Sequence, residues 1–250
     1  MDHTNGYLEI LVKLYEKIEK EEFENIEQAA ELMKDAVKKD RLISVFGGGG
    51  HTTLAVGEMF FRAGGLCNIN PCTESALTVF NQAGKFMSYE RCVNYGRHIM
   101  DYYDLHKNDV LIIFHNIGTN AVTIDAAQEA KEHGAKIIAV SSLEWQNSIP
   151  QDSPLRHPSH KNLFELADIS IDDHVPVGDA VITLDGLGTP VGPVSNLLDF
   201  YIAHRLEMEC IKKCLNEGVT PPVWYSANVP GGDECNRNYI KKYSPRVKML

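Results

Sequence analysis

Three short runs combine residue types that grip an anion with types that move a proton. The first is Gly47-Gly48-Gly49-Gly50-His51-Thr52-Thr53. Glycines let the backbone come close to a ligand, and free N–H groups at a helix start favour negative charge. Gly48, Gly49, Gly50 and Thr52, with His51 beside them, are therefore candidate ligand contacts; a tight turn that binds nothing is the plainer alternative. The second run, His115-Asn116-Ile117-Gly118-Thr119-Asn120, offers an imidazole, two amides and a hydroxyl around a glycine. Thr119 or Asn120 can equally cap a helix there. The third is Ser141-Ser142, whose hydroxyls serve either a ligand or the backbone of a loop.

Other titratable residues stand apart from these turns. Glu58 has Arg62 at i+4, which makes an ordinary helical ion pair the plain reading. His204 and Asp199 lie on one expected helix, five residues apart, and do not share a face well. Asp179, in VPVGDAV, either orients a hydroxyl or accepts backbone bonds. His157 and His160 lie three apart without an evident carboxylate or cysteine partner, a poor metal site. Cys210 and Cys214 at helical spacing read as packing. No metal and no cofactor are expected. The glycine run lacks the Lys-Ser or Lys-Thr of a P-loop, and the next apolar run, Leu66 to Asn70, carries no acid for a nicotinamide ribose.

The elements that must carry these residues alternate. Leu8, Leu11, Tyr15 and Ile18, then Phe23, Ile26, Ala30, Met33 and Val37, mark two amphipathic helices. Strands are expected at Leu42–Phe46, Leu66–Ile69, Val110–Phe114, Lys136–Val140 and Asp168–Ile171. Helices are expected at Thr52–Ala63, Arg91–Tyr103, Asn120–His133 and Val194–Cys214. Strands alternating with helices argue for an α/β fold, a parallel sheet with helices on both faces. Such a sheet binds ligands beyond the carboxyl ends of its strands, and all three polar runs fall there. The stretch Ser141 to Asn162 is polar and proline-bearing and reads as a surface loop near the site.

With 34 acidic against 24 basic residues, a net charge of −10 argues against a nucleic-acid partner. No apolar run reaches the roughly 18 residues of a membrane span, and the start MDHTNGYLEILVKLYEK does not read as a secretory signal. Six cysteines without a CxxC pair are expected to be reduced thiols in a cytoplasmic protein.

The segments FGGGGHTTLAVGEMFFRAGGL and IIFHNIGTNAVTIDAAQEAKEHGAKIIAVSS, with VPVGDAVI, VGPVSNLL and the tail PPVWYSANVPGGDECNRNYIKKY, resemble the sugar isomerase (SIS) domain family over about residues 30 to 215. The resemblance is to a phosphoheptose isomerase-like subfamily, many of whose members carry no assigned function. It implies a three-layer α-β-α sandwich with a five-stranded, mostly parallel sheet. It implies a single SIS domain over 1–250, with N-terminal helices at about 1–40 and a docked tail at about 218–250. It also implies aldose–ketose isomerisation of a phosphorylated or other anionic sugar through an enediol, with Glu58 as base and His51 or His204 as partner. Gly48, Gly49, Gly50, Thr52, His115, Asn116, Gly118, Thr119, Asn120, Ser141, Ser142 and Asp179 would hold the sugar. His115 and Ile117 stand where the family usually has serines, which removes two phosphate donors. A homodimer or homotetramer built through the N-terminal and late helices is expected. A binding-only sensor, or a lyase or deaminase acting on an ether or amino sugar phosphate, remain as alternatives.

Overall fold

A computed structural model describes residues 6–250. The N-terminal helices expected at about 1–40 are α1, Gly6–Glu21, and α2, Phe23–Lys38, so the first five residues of that span lie outside the described residues. The sheet is built from β1 (Ile43–Gly47), β2 (Ile69–Cys72), β3 (Val110–Phe114), β4 (Lys136–Ser141) and β5 (Ile169–Asp172). Its order is β2-β1-β3-β4-β5 and every pairing is parallel. β1 and β3 are apolar along nearly their whole length and buried throughout, as strands covered on both faces must be.

Helices cover the two faces. Residues of α2, α3 (Thr53–Met59) and α8 (Ser195–Asn216) pack with Ile43, Val45, Ile112 and Phe114 on one side. Residues of α5 (Tyr95–Tyr103) and α6 (Ala121–Glu132) pack with Phe46, Leu111 and Ile113 on the other. The alternation of strand side chains between the two clusters is the period-2 pleat. The result is the three-layer α-β-α sandwich with a five-stranded sheet.

Several expected boundaries move. β2 begins at Ile69 rather than Leu66, because Leu66 instead bridges Val223 of the tail. The shift brings Pro71 inside a strand, which is tolerated because β2 is at the sheet edge. It also brings Glu74 just past the strand end, where its Oε1 accepts the Ala76 N–H at 3.0 Å and caps a single 3-10 turn. α3 stops at Met59 rather than Ala63: Phe60 is extended and Phe61 takes φ +52°. That left-handed conformation costs an aromatic residue about 1–2 kcal/mol, and it lays the Phe61 ring 4.7 Å from that of Trp224.

The stretch between β2 and β3 forms two helices, α4 (Ala83–Tyr89) and α5, where one was expected. The expected loop Ser141–Asn162 starts with a short helix, α7 (Leu143–Ser148), capped by Ser142. Buried Arg156 binds the remainder by donating to the carbonyls of Gln146, Ile149 and Pro150. A small hairpin, β6 (Ala180–Ile182) with β7 (Val191–Pro193), precedes α8. The tail contains α9 (Gly232–Tyr243) and docks through Trp224, Tyr243 and Val247 around Cys67.

Candidate functional site

In this strand order the chain runs from β1 outward to β2, then crosses back to β3 on the other side of β1. The connections after β1 and β3 therefore leave in opposite directions and open a crevice at the carboxyl ends of these neighbours. A cleft of about 300 Å³ lies there. Gly49, Gly50, His51 and Thr52 line it from the β1 end, and His115, Asn116 and Ile117 from the β3 end. Phe86, Met87, Glu90 and Arg91 close one wall, and Trp145, Asp179 and Ser195 the opposite one.

The glycine turn is held by its own threonines. Thr52 Oγ1 sits 3.0 Å from both the N and the O of Gly49, and Thr53 Oγ1 donates to Gly50 O at 2.6 Å. Side chains are excluded at its ends: a Cβ on Gly47 would strike the backbone of Thr52, and one on Gly50 the ring of Phe86. At Gly48 a Cβ would run into Thr123, which keeps this strip of backbone against α6.

His115 is buried, and its ring is fixed from one side. Gly118 N–H donates to its Nδ1 at 2.8 Å, and Gly118 has φ +65°, a conformation glycine adopts without strain. The neutral ring therefore carries its proton on Nε2. Burial pulls the His115 pKa down to about 4, so the ring is neutral near pH 7. Nε2 faces Gly49: a Cβ there would lie 3.4 Å from it and 3.4 Å from Glu90 Oε2.

Glu90 was not singled out from the sequence. It follows α4, is 8 % exposed, and burial pushes its pKa up to about 7 against the weaker opposing effect of the Arg91 charge. The signal was faint: a charged residue in SYERCV, a segment with no clear period. Only the fold brings it into the same cleft as His115.

The other expected contacts divide. Asn116 turns its amide away from the cleft: Nδ2 donates to Asp173 Oδ2 at 2.8 Å and to Asp199 Oδ1 and Oδ2 at 3.1 and 3.2 Å. Ser141 donates to His115 O at 2.6 Å and Ser142 to Val175 O at 2.7 Å; both are fully buried and hold the loops around the cleft. Thr119 is buried with its hydroxyl unpartnered, and Asn120 sits at the N-cap position of α6 without a side-chain cap bond. Neither makes the expected cap. Asp179 accepts from Val194 N, Ser195 N and Ser195 Oγ at 2.9, 2.7 and 2.9 Å, closing the start of α8 while bordering the cleft.

Glu58 and His204 do meet: Glu58 Oε1 lies 3.0 Å from His204 Nε2 and 3.2 Å from Arg62 Nε. The expected i+4 ion pair with Arg62 and the expected acid–base pair thus share one carboxylate oxygen. This group ties α3 to α8 and contributes nothing to the lining of the cleft, whereas His51 lies in that lining and is exposed. Glu207, beside them, is buried and pushed up to about 8, and it accepts Leu66 N–H at 2.8 Å.

His157 has the carboxylate partner the sequence did not reveal: its Nε2 lies 3.1 Å from Asp125 Oδ1. The contact latches the long loop to α6. Among the described residues Asp101, Glu129 and His133 bring possible metal-ligating atoms within 4.8 Å of one another, but Glu129 is already ion-paired with Arg97. No helix among the described residues is long and apolar enough to cross a membrane.

Residues 6–142 match the SIS domain family. A UPF0309 protein of Caldanaerobacter subterraneus is 36 % identical over 247 residues, 98 % of this chain and 98 % of that protein. A UPF0309 protein of Thermoanaerobacter pseudethanolicus is 37 % identical over 248 residues, with the same shares of each chain. Among solved structures, the phosphoheptose isomerase of Francisella tularensis superposes with TM-score 0.55 at 15 % identity, covering 84 % of this chain and 97 % of that one. That of Neisseria gonorrhoeae gives 0.52 at 16 %, covering 86 % and 97 %. At these identities the two structures speak for the fold alone.

Proposed function

Because this chain belongs to the SIS domain family, we propose that its strand-end cleft binds a phosphorylated or otherwise anionic sugar and interconverts its aldose and ketose forms. One observation carries the reading. The glycine turn after β1 and the His115 turn after β3 meet in a single cleft that is lined by a neutral imidazole donor and a buried carboxyl. An aldose–ketose isomerisation needs those two groups, a base for the carbon-bound proton and a donor for the carbonyl oxygen. Two of the solved structures that share the fold are phosphoheptose isomerases, which supports a sugar phosphate as the ligand class.

The missing serines make a difference here. With His115 and Ile117 in the second turn, backbone N–H groups and the cationic Arg91 are the groups left to meet an anion. One observation favours a binding-only protein instead: Glu58, the expected base, lies outside the cleft and is tied to His204 and Arg62. Self-association is part of the proposal. Leu8 and Val12 of α1 and Met208 and Leu215 of α8 expose apolar side chains that a second copy would cover, and light scattering would report the mass.

The test is incubation with a panel of aldose and ketose phosphates in deuterated water, followed by NMR at C2, with binding of each sugar measured in parallel. Exchange with any sugar supports the isomerase. Saturable binding without exchange supports the sensor. Neither binding nor exchange removes the sugar-phosphate reading.

A further inference from the structure

We propose that Glu90 is the base that takes the sugar's carbon-bound proton, and that His115 Nε2–H holds the neighbouring carbonyl oxygen, the two groups working together beside Gly49. The inference rests on the isomerase reading and assigns its chemistry to a residue pair different from Glu58 and His204.

The geometry is specific. Glu90 Oε2 and His115 Nε2 each lie 3.4 Å from the place a Cβ on Gly49 would occupy, so they are no more than twice that distance apart. The volume between them is kept open only because residue 49 has no side chain. Both groups line the same cleft, and both are more than nine-tenths buried. Their orientation is held from behind. Gly118 N–H fixes the His115 ring through Nδ1, and the Glu90 carbonyl accepts Val122 N–H at 3.0 Å, pinning that residue to α6.

Glu58 is less well placed for the role. Its Oε1 is engaged by His204 and Arg62, and the group sits at the C-terminal end of α3 and does not line the cleft.

The step balances without any co-reactant. The Glu90 carboxylate takes the proton from C2 of the open-chain aldose. The C2–H electron pair becomes the C1–C2 double bond, and the carbonyl pair moves onto O1, where His115 Nε2–H stabilises the negative charge. The O2 proton passes to O1. The O2 charge then re-forms a carbonyl at C2 as Glu90 returns its proton to C1. His115 never gives up its proton, which suits a ring that stays neutral. Burial likewise gives Glu90 the proton affinity of a base that works near neutrality.

The experiment is C2-proton exchange by the full-length protein on the sugar phosphate it turns over, for wild type, Glu90→Gln and Glu90→Asp, with sugar binding and melting temperature measured on each. Glu90→Gln is expected to lose exchange by on the order of 10²–10⁴-fold while still binding the sugar. Wild-type turnover is expected to rise with pH through about 7 as Glu90 ionises, in a site it shares with His115, His51 and Arg91. Glu90→Asp is expected to regain part of the rate with a displaced pH profile, which a merely structural residue would not do. Wild-type exchange in Glu90→Gln, or an unmoved pH profile in Glu90→Asp, overturns the assignment while leaving the isomerase reading intact. A wild-type protein that neither exchanges nor binds any sugar overturns both.

Discussion

Asp173 and Asp199, one just past β5 and the other in the second turn of α8, are fully buried and share the single side-chain amide of Asn116. Burial raises the pKa of both, and Asp173 is pushed further by its neighbour's charge. Two buried carboxyls around one donor cannot both ionise cheaply.

The sign follows from linkage. A carboxyl whose folded pKa is raised binds more protons in the folded state, so its contribution is complete below the unfolded value near 4 and is lost as pH rises. Asp199→Asn keeps an acceptor for Asn116 and removes one charge. It is expected to be more stable than wild type at pH 8 by about 1 kcal/mol or more, a Tm higher by roughly 2–4 °C. Thermal melts from pH 4 to pH 8 check this, and equal pH slopes for the two proteins would refute it.

His115→Asn keeps an acceptor near Nδ1 for the Gly118 amide and deletes Nε2. Turnover should fall on the order of 10²–10³-fold with little change in Tm. A large loss of Tm would mean that the ring acts mainly in packing.

Gly49→Ala is sterically permitted, since its Cβ would meet Glu90 and His115 at 3.4 Å, an ordinary contact. It nevertheless fills the working volume. Sugar binding should weaken by at least about tenfold, or about 1.4 kcal/mol, in a protein that melts as wild type does; calorimetric titration reads the first and a thermal melt the second.

Asp179→Ala removes the acceptor of two backbone N–H groups and one hydroxyl at the start of α8. A stability loss of about 1–2 kcal/mol is expected, with Asp179→Asn intermediate. Denaturant midpoints at constant m-value would show it. An unchanged Asp179→Ala midpoint would mean that water replaces the cap without cost.

Much of the scaffold was legible because β1, β3, β4, α6 and α8 declare themselves locally, through apolar runs and a 3.6-residue period. β2 was not, since Leu66 answers to the tail and Pro71 is acceptable only at an edge. The glycine turn and His115 were legible as strand-end residues, and both line the cleft. Ser141, Ser142 and Asp179 matched the expected pattern but serve the backbone, because polar groups near a cleft have carbonyls and amides to satisfy before any ligand arrives. Glu90 was invisible for the opposite reason. Its burial is produced by Gly49, His115 and α6, all distant in sequence, and no local period records it.

The cleft wall that carries Glu90 has a further property. α4 has no buried residue of its own, and the segment around it runs between two non-glycine residues with left-handed backbone, Gln82 at φ +62° and Asn94 at φ +70°. With no buried residue, α4 itself gains little from packing, and its amides are expected to open at low free energy. Amide exchange should be fast across residues 83–89 and slow along β1 and β3. A bound sugar spanning Glu90 and His115 would join that wall to the rigid sheet, so that ligand binding and the ordering of α4 become one cooperative event.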